Sequence, residues 1–106
     1  MSLYEACVPQ SRKMLSNAER WLEKAVAHAQ AKDFDPNVLA GARLAPDQFS
    51  LARQIQAACD HAKLAAARLT GKHAPSHPDT EQTIDELRQR IRTVVAHLES
   101  YTPEDF

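Results

Sequence analysis

The sequence predicts an all-α protein, an antiparallel up-down bundle of three long helices. Three observations carry that reading. Eighteen alanines stand against two glycines in 106 residues, and alanine is the strongest helix former while glycine is among the weakest. β-branched and aromatic residues, which suit pleated sheets, are few. Apolar residues recur three and four positions apart along three separate stretches, the spacing that lines one face of a helix.

The first helix is predicted over about residues 3–31. Ser2 followed by Glu5 forms a capping box, in which hydroxyl and carboxylate satisfy N–H groups that a helix start leaves unpaired. Met14, Leu15, Ala18, Trp21, Leu22, Ala25, Val26 and Ala29 then form one apolar stripe. Pro9 lacks the N–H that would bond to Glu5, so a kink near Pro9, or a short helix abutting a longer one, is expected. Asp35-Pro36 opens a short turn over about 36–40, ended by Gly41.

From Pro46 the pattern resumes through Phe49, Leu51, Ala52, Ile55, Ala58, Cys59, Ala62, Ala65, Ala66 and Leu69, predicting a helix over about 46–70 with Gly71 as its left-handed cap. Its small side chains allow a neighbouring helix to approach closely. Lys72 to Pro78 reads as a loop, and Asp79 or Thr80 as the cap of a third helix over about 80–101. Ile84, Leu87, Ile91, Val94, Leu98 and Tyr101 make a seam of coiled-coil type, a candidate interface between copies of the chain. Thr102-Pro103-Glu104-Asp105 resembles a fresh helix start.

With 43% apolar residues, 25% charged residues and a net charge of −1, the chain reads as a single helical domain over 1–106 with a thin core. That balance excludes a disordered acidic tail and a basic nucleic-acid module. There is no apolar run of about 20 residues to span a membrane, and no basic leader, so a cytoplasmic protein is expected. Cys7 and Cys59 lie too far apart for a redox pair and are expected as free thiols.

The segment Ala42-Arg-Leu-Ala-Pro-Asp-Gln-Phe-Ser-Leu-Ala-Arg-Gln-Ile, continuing to Gly71, resembles the hallmark segment of a bacterial family, domain of unknown function 1993. Met1-Ser-Leu-Tyr-Glu-Ala and Tyr101-Thr-Pro-Glu-Asp-Phe106 are similar to its amino-terminal and later segments, in the same order. Gln48 and Ser50 stand where the family tends to have Met and Pro. The resemblance implies a helical bundle like the DinB and YfiT-like four-helix proteins, some of which hold a metal with three His and act as thiol-dependent transferases. It also implies a domain about half as long again, ending in a fourth long helix. The chain would then hold three helices of an incomplete four-helix plan, with an apolar groove along the second and third helices covered by a second copy in a homodimer.

One histidine falls on each predicted helix: His28, His61 and His97. An up-down order puts His61 far from the other two along the bundle axis, whereas zinc ligands must converge within about 2 Å of one ion. No metal and no cofactor is therefore expected. His61 and Gln54 share a strip with Leu51, Ala58 and Ala65, as a binding pair or as a packed histidine with a hydrogen-bonded partner. Arg43 and Asp47 are further binding candidates, because loops between helices often carry function. His73 and His77 read as solvated loop residues, and Arg88 and Arg92 as partners of Asp85 and Glu86 on their own helix surface. The reading of function is a non-catalytic, self-associating or ligand-binding module. The alternative is a DinB-like metal-dependent thiol transferase using His61 and residues of a partner chain. Neither nucleic acid nor membrane is an expected partner, and a small-molecule ligand is left unnamed.

Overall fold

The computed structural model describes residues 2–43 and 48–106. It comprises α1 (Leu3–Ala31), a 3₁₀ turn (Pro36–Gly41), α2 (Leu51–Thr70), α3 (Ile84–Glu99) and a final 3₁₀ turn (Pro103–Asp105). The all-helical bundle predicted from the sequence is the fold found, and no strand occurs among the described residues. It is elongated, 49 × 24 × 21 Å, because the 29 residues of α1 alone extend about 44 Å at about 1.5 Å per residue. No helix among the described residues is long and apolar enough to cross a membrane.

The caps set the helix bounds. Ser2 accepts from the Glu5 N–H at 3.1 Å, and α1 runs through Pro9 as one continuous helix. α2 starts at Leu51 rather than near 46, because the Ser50 hydroxyl accepts from the Arg53 N–H at 3.3 Å. Gly71 ends it at φ 73°, in the left-handed region that favours glycine. α3 starts at Ile84 rather than near 80. Thr83 and Glu86 form a reciprocal cap there, Thr83 Oγ1 accepting from the Glu86 N–H and Glu86 Oε1 from the Thr83 N–H, each at 3.1 Å. The expected cap, Asp79, is held by two arginines instead.

Ion pairs fix the helix directions. Arg12 pairs with Glu99 at 3.1 Å, Glu19 with Arg92 at 2.8 Å and Glu23 with Arg88 at 3.0 Å, so α3 descends as α1 ascends. These are contacts between helices, not the same-helix pairs with Asp85 and Glu86 that the spacing suggested. At one end Asn37 Oδ1 accepts from the Ile84 N–H at 2.9 Å, and the Ala42 carbonyl from the Leu51 N–H at 2.8 Å. At the other end Lys72 pairs with Asp105 at 2.8 Å, and the Tyr4 and Phe106 rings meet edge to face at 5.7 Å. Thus α2 and α3 run parallel, both antiparallel to α1, and the strict up-down order expected from the sequence is corrected.

A parallel pair needs a return connection, and residues 72–83 supply it as a strap along α2. His77 Nδ1 meets Lys63 Nζ at 3.1 Å, Asp79 pairs with Arg53 at 2.8 Å, and Glu81 accepts from Gln56 at 3.0 Å before Thr83 caps α3. Twelve extended residues reach about 40 Å, ample for the roughly 30 Å that α2 spans.

The core lies where α3 packs on α1 and α2. Ile84, Leu87, Ile91, Val94 and Leu98 are at most 1% exposed and Tyr101 4%. That corrects the reading of this seam as an interface between copies: it is buried against Val8, Leu15, Leu22, Ile55 and Cys59 of the same chain.

Candidate functional site

Because α3 covers one side of the α1 and α2 pair, the opposite side stays open. There a groove of about 550 Å³ runs between the two helices, walled by Met14 and Trp21 on α1 and floored by Leu51, Ala58, Ala62 and Ala65 on α2. Met14 is 55% exposed and Trp21 59%. The α1 stripe read from the sequence is too wide for one neighbour and is split between two surfaces. Leu15, Ala18, Leu22 and Ala29 enter the core, while Met14 and Trp21, a turn to the side, face the groove. The groove thus lies between α1 and α2, not along α2 and α3 as the sequence suggested, since α3 and the strap occupy that flank.

The groove collects two of the candidate residues. Gln54 and His61 both line it, with Gln10 and Ser11 opposite. Gln54 Nε2 donates to the Phe49 carbonyl at 3.0 Å, which tethers the connection ahead of α2. His61 is exposed in the groove wall. Arg43 is exposed in the connection and does not line the groove. Asp47 lies outside the described residues.

The histidines do not converge. His28 packs edge-on to Phe34 at 6.0 Å, near the end of the bundle where Asn37 meets α3. His97 lies toward the other end, where its Nε2 is 3.3 Å from the Tyr101 hydroxyl. Burial, with a smaller contribution from Lys63, holds the His97 pKa below its usual value. Among the described residues no three His, Cys, Asp or Glu side chains are gathered to hold an ion.

Sequence reasoning missed a charged cluster under the strap. The Arg90 side chain is 2% exposed and pairs with Asp60 at 2.8 Å, Asp79 at 2.8 Å and Glu81 at 2.9 Å. It also donates to the Pro78 carbonyl at 3.0 Å. Burial works against the guanidinium charge, but the hydrogen bonds to Asp79 and Glu81 outweigh it and raise the Arg90 pKa. The same contact holds the Asp79 carboxyl below the usual range. Lys63 joins through Asp60 at 3.3 Å and His77 at 3.1 Å. Burial and that ammonium lower the His77 pKa. Beneath the cluster, burial pushes the Cys59 thiol up to about 11, far from the depressed value a nucleophile needs. One signal was present in the sequence: on the α3 wheel Arg90 borders the seam one turn before Val94, and the strap ahead of it carries Asp79 and Glu81. The acceptors and the cation meet one another, so the cluster fastens the strap.

A family model described as "Domain of unknown function (DUF1993)" matches residues 3–106. Among solved structures, a DinB family member from Shewanella denitrificans is similar at 50% identity with a TM-score of 0.95. The likeness covers 98% of this chain and 60% of that one, so the chain spans about three fifths of the length of the solved protein it matches. The comparison with curated proteins finds no match.

Proposed function

The chain belongs to the DUF1993 family, and we propose that it serves as a non-catalytic binding module whose working surface is the groove between α1 and α2, with a helix as the bound element. One observation carries the proposal: Met14 and Trp21 stand more than half exposed over a floor of alanines. Large apolar side chains gathered on one exposed face mark interaction sites, and small residues opposite them let a third backbone settle at helix-packing distance. Among the described residues lining the groove, His61 is the one imidazole, with no carboxylate, amine or thiol beside it. That speaks for binding over the alternative, a metal-dependent thiol transfer using His61 with residues from a partner chain.

The test is a titration with synthetic amphipathic helical peptides, read by calorimetry on the wild type and on Ala58→Arg. Ala58 is exposed on the groove floor, so the arginine fills the groove without entering the core. Peptide binding that Ala58→Arg abolishes supports the reading. Failure of every amphipathic peptide, whatever its flanking charge, overturns it.

A further inference from the structure

We infer that residues 73–77 of the strap form a pH-operated latch, closed on α2 while His77 is neutral and released as a loop when its imidazole takes up a proton. The latch lies on the flank away from the groove and is independent of the binding role proposed above. Its geometry fixes the protonation state. Lys63 Nζ is 3.1 Å from His77 Nδ1, and an ammonium can only donate, so Nδ1 is the bare acceptor nitrogen and the ring proton sits on Nε2. Lys63 cannot retreat, because its side chain is 6% exposed and Asp60 holds it at 3.3 Å. A proton on Nδ1 therefore removes the acceptor and sets two cations at contact distance.

The groups around His77 do not relieve that clash. Lys63 and Asp60 face it from α2, and Arg90 and His97 from α3. Glu81 of the strap and Glu86 of α3 line the same hollow. The carboxylates are committed elsewhere, Asp60 and Glu81 to Arg90, and Glu86 to the Thr83 cap. Lys63 and Arg90 are cations already, and His97 becomes one in acid. Burial and the Lys63 ammonium hold the His77 pKa below 6.5, so the closed form persists at neutral pH.

The neighbouring fastenings of the strap do not share this weakness. Upstream, Lys72 pairs with Asp105 at 2.8 Å; downstream, Arg53 and Arg90 each hold Asp79 at 2.8 Å. Hydrogen bonds from Lys72 and Arg90 keep these two carboxyls below the usual range, so both anchors stay charged where an imidazole titrates. Between them, the contact of His77 with Lys63 is the one hydrogen bond that residues 73–77 make to the helices among the described residues. Acid thus frees the middle of the strap and leaves both ends pinned, a local change distinct from unfolding.

The test is ¹⁵N relaxation on the full chain in a series from pH 7.5 to 4.5, with the His77 imidazole shifts followed in parallel. Backbone order parameters of residues 73, 74, 76 and 77 are expected near the rigid value of about 0.85 at pH 7.5, and to fall below about 0.6 as the ring titrates. The two curves should share one midpoint, while residues 80–83 and the three helices stay unchanged. His77→Gln offers Lys63 an amide oxygen that gains no proton, so its segment should stay ordered throughout. A segment already mobile at pH 7.5, a ring still neutral at pH 4.5, or order that persists after the ring titrates would overturn the latch. An equal fall in His77→Gln would assign the step to another group and overturn it as well. Helices that loosen together with the strap would replace the latch by general acid unfolding. The wild-type series decides alone if His77→Gln does not fold.

Discussion

Arg90 on α3 and Asp60 on α2, thirty residues apart in sequence, close an ion pair of 2.8 Å with the guanidinium side chain 2% exposed. The pair ties two parallel helices at one level, and Asp79 and Glu81 on the same guanidinium tie the strap to both. Arg90→Met keeps much of the side-chain bulk but leaves three carboxylates facing one another. Removing one partner of a buried pair costs about 3 to 5 kcal/mol. Because Asp60 and Asp79 keep partial access to water, a loss of about 2 to 4 kcal/mol is expected. Urea unfolding checks it, and an unchanged midpoint would count against the lock. Arg90→Lys should recover little, since a single ammonium cannot span acceptors that a planar guanidinium reaches together.

The two arms of the α1 stripe should differ sharply in mutational cost. Leu22→Ala, at a position with 2% exposure, opens a cavity in the core and should cost about 2 to 5 kcal/mol. Met14→Ala, in the groove wall, should change stability by no more than about 0.5 kcal/mol, as surface changes usually do. Thermal melts of the two variants against the wild type decide this, and equal losses would place Met14 in the core.

Acid should weaken the fold in two steps. His77 and His97 have folded pKa values below the ordinary 6.5, so as pH falls the unfolded chain takes up their protons first. The stability they leave intact above pH 6.5 declines as pH drops through that value and levels off below the folded pKa values. Asp79 acts lower on the scale: its folded pKa lies below 3.8, so its contribution is present above 3.8 and lost as pH falls through the folded value. Urea midpoints at pH 7.5 and 5.5 test the histidine step, which should shrink in His77→Gln. A wild-type midpoint that rises on acidification would contradict the sign.

The two thiols should be silent in the folded protein. Cys59 is fully buried with its pKa pushed up to about 11, and Cys7, 8% exposed, is also raised by burial. A thiol-reactive chromophore at pH 8 should leave both unreacted for as long as the fold holds, then titrate both at once in urea. Fast modification of Cys59 in the native state would refute its placement.

Much of the bundle was legible in the sequence because caps and periodicity are local. Ser2 with Glu5, Gly71, and the seam from Ile84 to Leu98 each declare themselves within a few residues. Periodicity names a face, however, and not the neighbour that covers it. The α3 seam therefore read as an interface although it fills the chain's own core, and Met14 read as core although it lines a groove. The direction of α3 was hidden for a related reason: residues 72–83 are long enough either to turn back at once or to run the length of α2. What selects the second course is Arg90 with acids drawn from two elements, a relation that no single helical repeat displays. The site was half visible, with His61 and Gln54 placed correctly on one strip and the opposite wall missed.

The pairing of Arg12 with Glu99 and of Glu19 with Arg92 has a kinetic meaning. α3 packs on α1 as well as on α2, and α1 and α3 lie in the first and last thirds of residues 1–106, so no early hairpin can form that part of the core. Most of residues 1–106 must close into one loop before the contacts between α1 and α3 begin to stabilise anything, and that closure entropy is met before they form. A fragment holding only α1 and α2 would lack the helix that both are built on. Among these three helices, α3 decides whether α1 and α2 are kept.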